Sequence, residues 1–147
     1  MTRYEISYGS KYDKEATTTE IAKRLRADIK AAQKSGGLPK GLKVSVRSSY
    51  FSMGSSIDIR VKACPFPFLN LERLLHDTLN PREFVPETIC PVYTEAGSEL
   101  LKKLQGMMNA YNYDGSDIQT DYYNVNFYGH AEFDHDLTHS VRKALLA

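Results

Sequence analysis

Three histidines and two aspartates lie close together near the C-terminus of this 147-residue sequence and could carry metal chemistry. His135 and His139 are four residues apart, so on a helix both side chains would share a face and could hold one metal ion. His130 could supply a third ligand and leave a position open for hydrolysis. However, the glutamate that follows the first histidine of the HExxH motif is absent, and Asp134 and Asp136 are better explained as helix-capping residues. We therefore predict no metal site and keep the three histidines as weak candidates.

Other catalytic signatures are missing from the sequence. It contains no GxSxG motif, no Walker loop and no dinucleotide fingerprint. Cys64 and Cys90 each precede a proline, but two Cys-Pro dipeptides carry almost no information about haem, and neither cysteine belongs to a CxxC motif. We predict a protein without a cofactor that is more readily explained as a non-enzyme, although the sequence leaves an enzyme open.

The charged residues are unevenly distributed. Residues 1–62 contain 13 Lys and Arg against 6 Asp and Glu, a net charge of +7, whereas residues 63–147 contain 6 against 12, a net charge of −6. A basic half can bind a polyanion such as nucleic acid, and an acidic half can bind a basic protein. The alternative is that the two halves cancel each other in the fold. Within the basic half, a stripe recurs at helical spacing: Lys23, Arg26, Lys30 and Lys34.

The predicted strands carry a second set of basic residues. Side chains that alternate with the apolar positions should form a polar, net-basic face on which aromatic rings could stack on unpaired bases. The same residues fit a plain structural role, because exposed strands need polar side chains and lysine protects sheet edges. The predicted binding residues are Lys43, Arg47, Tyr50, Phe51, Met53, Arg60, Lys62 and Tyr128.

Large apolar side chains are concentrated at the tip of the predicted hairpin, which we place at Ser48 to Ser55. Tyr50, Phe51 and Met53 lie there, beyond the strand positions that already bury apolar side chains. Either these groups fold back over the edge of the sheet, or they are exposed for a partner, since contiguous apolar groups on a surface usually mark an interaction site.

Apolar periodicity predicts one α+β domain over residues 1–147, with the element order α-β-β-α-α-β-α. The economical arrangement is a three-stranded antiparallel sheet with helices packed on one face. The third strand is predicted at Tyr123, Val125 and Phe127, which alternate with polar residues, and the last helix from about Asp134 or Asp136. No apolar run reaches the roughly 18 residues of a membrane span, and the N-terminus lacks a secretory signal. We therefore expect a cytoplasmic protein.

Three segments carry a resemblance to a known family. They are EIAKRLRADIKAAQKSGGLPKGLKVSVR from Glu20 to Arg47, SIDIRV from Ser56 to Val61, and AYNYDGSDIQTDYYNVNFYGH from Ala110 to His130. Over residues 14–135 the sequence resembles the large polyvalent protein-associated domain family, number 29, which occurs in phages and other mobile elements. The segments hold no catalytic motif. The resemblance implies a small protein that a mobile element delivers or expresses in a bacterial host to counter host defence. We predict a non-enzymatic binding protein that engages a host protein. The alternative function is a nucleic-acid-binding module that uses the basic helix and sheet face.

Overall fold

The computed structural model describes residues 6–115 and 125–147. Four helices and three longer strands follow the predicted order, and two short strands are added. No helix in the described ranges is both long and apolar enough to cross a membrane. The elements, in chain order, are β1 (Ser7–Tyr8), α1 (Thr18–Ser35), β2 (Lys43–Phe51), β3 (Gly54–Ala63), α2 (Leu71–Leu79), α3 (Glu95–Asn109), β4 (Tyr113–Asp114), β5 (Tyr128–Phe133) and α4 (His135–Leu145).

The main sheet has the strand order β2-β3-β5, so β3 is its central strand. β2 pairs with β3 in the antiparallel sense, as predicted for a hairpin. β5 pairs with β3 in the parallel sense, from Ser56 beside Tyr128 to Val61 beside Phe133. The prediction of an all-antiparallel sheet is therefore wrong. The connection between β3 and β5 contains α2 and α3 and is long enough to return the chain to the same end of the sheet, which a parallel pair requires.

The third strand lies later in the chain than predicted. It begins at Tyr128, after the stretch that we assigned to it, of which Tyr123 lies outside the described residues. Val125 makes an isolated bridge with Asp114, and Phe127 is buried next to the strand without belonging to it. The prediction places the strand too early because the alternation of apolar and polar residues includes Phe127, and a buried aromatic residue in a connecting segment gives the same pattern as one in a strand.

Helix α1 begins and ends where the sequence indicates. Thr17 and Glu20 form a capping box, in which each side chain accepts a hydrogen bond from the backbone of the other. Gly36 ends the helix in the left-handed conformation with φ of 88°, which glycine adopts without a steric penalty. Ile21, Leu25, Ile29 and Ala32 recur at helical spacing in the sequence, which predicts the apolar face of this helix, and Ile21, Leu25 and Ile29 are almost completely buried.

Three polar side chains of α1 hold this helix along β2. They are spaced two helical turns apart, and the residues that they bond, on β2 or immediately before it, are spaced four residues apart. Two turns rise about 10 Å and four strand residues span about 13 Å, so the two spacings nearly match. The helix consequently runs along β2 on the core face of the sheet, and its polar side chains reach the edge of that strand. The bonded pairs are Thr19 with the Tyr50 hydroxyl, Arg26 with the Val46 carbonyl, and Gln33 with the Leu42 carbonyl.

The N-terminal segment is fixed to the end of α3. The Gly9 amide donates to the Asn112 carbonyl at 2.8 Å, and the Lys11 amide donates to the Ala110 carbonyl at 2.7 Å. The Tyr111 hydroxyl, at the same place, donates to the Asp28 carboxylate on α1. Burial and the neighbouring carboxylate raise the pKa of Tyr111 to about 12, so this hydroxyl is a proton donor at neutral pH. These bonds fix α1 relative to α3.

The core lies between one face of the sheet and helices α1 and α3. Ile57, Ile59 and Val61 of β3 are completely buried there. Helix α2 contributes less than its periodicity suggests, because only one of its four leucines, Leu74, is buried. The other three are exposed: Leu71, Leu75 and Leu79.

Candidate binding surface on the sheet

The sheet face opposite the core carries most of the predicted binding residues, and we call it the open face. Strand pairing arranges it in rows that run across β2, β3 and β5. One row contains Arg47, Asp58 and His130, and a second row contains Arg60 and Glu132. The open face thus brings together basic residues from both arms of the hairpin, as predicted. Its described charged and aromatic members are Arg47, Phe51, Asp58, Arg60, Lys62, Tyr128, His130 and Glu132.

Carboxylates partly neutralise the basic residues of this face. The Arg60 Nε atom lies 3.4 Å from Glu132, and His130 Nε2 lies 3.4 Å from the other oxygen of the same carboxylate. At the end of β3, the Lys62 Nζ atom donates to Asp134 at 2.8 Å. The face is therefore a pattern of alternating charges rather than a uniformly positive surface. Sequence reasoning missed Glu132, although it alternates with His130 and would have been found had the strand been placed at 128–133.

Lys43 lies apart from the other predicted basic residues. The register of β2 against β3 shifts between Lys43 and Val44, which breaks the regular alternation there. Lys43 consequently lines a groove between β2 and α1, together with Arg26 and Lys30. This groove is a second place where basic side chains gather.

Lys62 is fixed by Asp134, the residue that immediately precedes α4. The Asp134 amide donates to the Val61 carbonyl at 2.9 Å, which positions the carboxylate beside Lys62. The hydrogen bond and the positive charge of Lys62 lower the pKa of Asp134 below its usual value. The pair thus links β3 to the start of α4, and Lys62 is less free to bind a ligand than the sequence suggests.

We expect replacement of Asp134 by asparagine to destabilise the protein at neutral pH and to have little effect in acid. Because the pKa of Asp134 is lower in the folded state than in the unfolded state, its contribution is present above about pH 4 and is lost as the pH falls through the folded-state pKa. The measurement is the urea midpoint of the wild type and of Asp134→Asn between pH 2.5 and pH 7. Asp136→Asn, at an exposed position two residues later, is the control. A deficit that is equal at all pH values would contradict the ion pair.

The hairpin end is more compact than predicted. The strands continue to Phe51 and resume at Gly54, so only Ser52 and Met53 form the turn, instead of the stretch from Ser48 to Ser55. The Tyr50 hydroxyl contacts the amide and the side-chain oxygen of Thr19, both at 3.1 Å, which fixes this ring on α1.

The remaining apolar groups of the hairpin end lie together and are accessible. The Phe51 ring lies beside Tyr128 with ring centroids 5.9 Å apart. Both rings are about half exposed, and Met53 at the turn is 92% exposed. We call Phe51, Met53 and Tyr128 the aromatic tip. Tyr50 is bonded to α1 through its hydroxyl but is 60% exposed, so none of the three apolar side chains of the hairpin end folds back into a buried position.

The three candidate metal-binding histidines do not form a metal centre. His130 lies on β5, whereas His135 and His139 lie on α4, and all three are exposed. Among the described residues, no group of three or more His, Cys, Asp or Glu side chains has an arrangement that could hold a metal ion. The histidines are close in the sequence and lie on consecutive elements, but their side chains do not converge on one point.

Comparisons of this chain with protein-family models, with curated proteins and with solved structures find no match. Its class is therefore defined by its own fold and surface. It is a mixed α+β protein with a three-stranded sheet, one face of which carries exposed charged and aromatic side chains.

Proposed function

We propose that this chain is a small non-enzymatic binding protein of a phage or mobile element, which engages a host protein in the bacterial cytoplasm and counters a host defence. The resemblance of residues 14–135 to the polyvalent protein-associated domain family suggests this biological setting. The observation that supports binding is the aromatic tip, where two half-exposed rings contact each other and Met53, at the adjoining turn, is almost completely exposed.

The chemistry of the aromatic tip suits a protein partner. Aromatic residues and methionine are enriched in protein interfaces because they offer large contact area and adapt to their surroundings. Phe51 and Tyr128 already contact each other, so ordering them on binding costs little conformational entropy. Polar and charged residues of the open face border the tip and would form the rim of the interface. A partner with complementary charges would find a defined pattern in Arg60 and Glu132.

We expect the double substitution Phe51→Ser and Met53→Ser to abolish capture of the host partner while changing the melting temperature by only a few degrees. Both side chains are exposed, so little buried area is lost. The measurement is affinity capture from a bacterial host lysate with wild-type and variant protein. Phe84→Ser is the matched control, since Phe84 is 85% exposed outside the aromatic tip. The idea fails if the double variant retains the same host proteins as the wild type.

Nucleic-acid binding is the second candidate, and one observation favours it. The four basic residues of the α1 stripe are all exposed, and none forms an ion pair with a described residue: Lys23, Arg26, Lys30 and Lys34. A gel shift with DNA and RNA at low and at physiological salt decides this question. Binding through phosphate contacts must weaken steeply with salt, and the absence of a shift even at low salt excludes the candidate.

A further inference from the structure

The outer edge of β2 keeps backbone hydrogen-bonding groups available. Among the described residues β2 pairs only with β3, which makes it an edge strand of the sheet. Phe51 and Gly54 flank the two-residue turn and pair directly, so alternation along an antiparallel ladder makes the backbone groups of Val44, Val46 and Ser48 point away from β3. The bond from Arg26 to the Val46 carbonyl confirms this orientation. In the described structure Val44 and Ser48 have no hydrogen-bond partner on that side.

A basic groove runs beside this edge. It has a volume of about 250 Å³ and lies between α1 and β2. Its apolar floor is formed by Ile29, Leu42, Val44 and Val46, of which Val44 is the most exposed, while Arg26, Lys30 and Lys43 supply positive charge. The described residues that line it include no Asp or Glu. The groove therefore combines free strand backbone, apolar contact area and uncompensated positive charge.

We propose that an extended acidic segment of a partner protein binds in this groove as a fourth strand, paired to the outer edge of β2. An added strand gains affinity from main-chain hydrogen bonds and specificity from alternate side chains. Its inward residues would be apolar and lie on the floor of the groove. Its carboxylates would contact Lys30 and Lys43. This surface is distinct from the aromatic tip, so the inference does not depend on the proposed function.

Arg26 has a defined part in this binding. In the free protein its Nε and Nη2 atoms donate to the Val46 carbonyl at 3.1 and 2.7 Å. The guanidinium thus covers the middle of the free edge, as a charged residue does at many exposed strands. An incoming acidic strand can take over both sides of this bond. Its backbone amide would donate to the Val46 carbonyl in place of Arg26, and one of its carboxylates would accept from the Arg26 guanidinium in place of that carbonyl. The exchange retains the bonding of both groups.

A peptide fits this groove better than a nucleic acid. None of the described residues that line it is aromatic, so bases would have no ring on which to stack. The floor of isoleucine, leucine and valine offers nothing to a sugar-phosphate backbone, whereas alternate side chains of a strand would bury apolar area there. The vacant amide and carbonyl groups of Val44 and Ser48 recur at the spacing of a strand.

The test uses a labelled heptapeptide of alternating valine and glutamate as the probe, with the full chain. We expect saturable binding, together with slowed hydrogen exchange of the Val44 and Ser48 amides. A peptide of the same sequence with N-methylated alternate residues keeps the charge but cannot form the ladder, and it should bind at least tenfold more weakly. Lys30→Glu with Lys43→Glu should cause a similar loss. Lys14→Glu with Lys143→Glu changes the net charge equally at other exposed positions and should not.

Three results would overturn the inference. Absence of binding at millimolar peptide would show that the edge does not accept a strand. Equal binding of the N-methylated peptide would show that the groove binds the peptide through charge alone, without backbone pairing to β2. Tighter binding of a ten-nucleotide thymidine oligonucleotide, lost in the Lys30→Glu and Lys43→Glu variant, would assign the groove to nucleic acid. The Phe51→Ser and Met53→Ser variant should bind the peptide normally, which separates this inference from the proposed function.

Discussion

Replacing Phe68 by alanine should destabilise the protein by about 3–5 kcal/mol, the usual cost of truncating a fully buried phenylalanine. Phe68 is 2% exposed, and its ring stacks on Phe133 of β5 with centroids 4.1 Å apart. The connection that carries Phe68 is thereby fixed against the parallel edge of the sheet. The loss removes both the burial of the ring and its contact with Phe133, and the rigid strands around it cannot collapse to fill the cavity.

Urea unfolding of the wild type and of Phe68→Ala measures this effect. Domains of this size are stable by about 5–15 kcal/mol, so the variant should lose a large share of the total. Phe84→Ala is the matched control, because Phe84 is 85% exposed and its truncation should change stability by less than about 0.5 kcal/mol. Similar midpoints for the two variants would show that Phe68 does not contribute to the core in the way described.

Two glycines of α3 should respond to alanine in opposite directions. A Cβ atom at Gly97 would lie 2.9 Å from the Phe68 carbonyl oxygen and 3.1 Å from the Phe68 Cβ atom, so the first turn of the helix would have to move. Overpacking of this kind costs about 1–3 kcal/mol. Apart from its chain neighbours and the backbone of its own helix, no described atom lies within 4 Å of a Cβ atom placed at Gly106. Alanine there gains helix propensity worth about 1 kcal/mol.

The two variants share the helix, the residue change and the gain in intrinsic propensity. The difference between their unfolding free energies therefore reports the contact with Phe68 alone. We expect Gly97→Ala to lower the thermal midpoint and Gly106→Ala to raise it. If both variants are stabilised, α3 does not approach Phe68 as closely as the structure indicates.

Local signals in the sequence were sufficient for the helices. Thr17 and Glu20 at a spacing of three, followed by apolar residues at helical spacing, specify the start of α1, and Gly36 specifies its end. These features depend on contacts within a few residues, so the sequence displays them directly. The same holds for the β2–β3 hairpin, whose buried side chains alternate.

The direction of β5 and the charges of the open face depend on contacts far apart in the chain. Alternating apolar residues are compatible with either strand direction, and only the path of α2 and α3 decides it. From the sequence, Arg60 and Lys62 are predicted to be unpaired cations, because the carboxylates that pair with them, Glu132 and Asp134, lie some 70 residues later. Likewise, the free edge of β2 becomes visible only when the strand order is known.

The parallel pairing of β5 with the central strand has a consequence for synthesis of the protein. β2, β3 and α1 leave the ribosome well before β5, since Lys62 and its partner Asp134 are 72 residues apart. Until then the nascent hairpin has α1 on its core face, while the inner edge of β3, with the apolar residues Ile57, Ile59 and Val61, has no strand to pair with. Exposed strand edges invite aggregation during folding. The segment most in need of a chaperone is thus the one that becomes the most deeply buried.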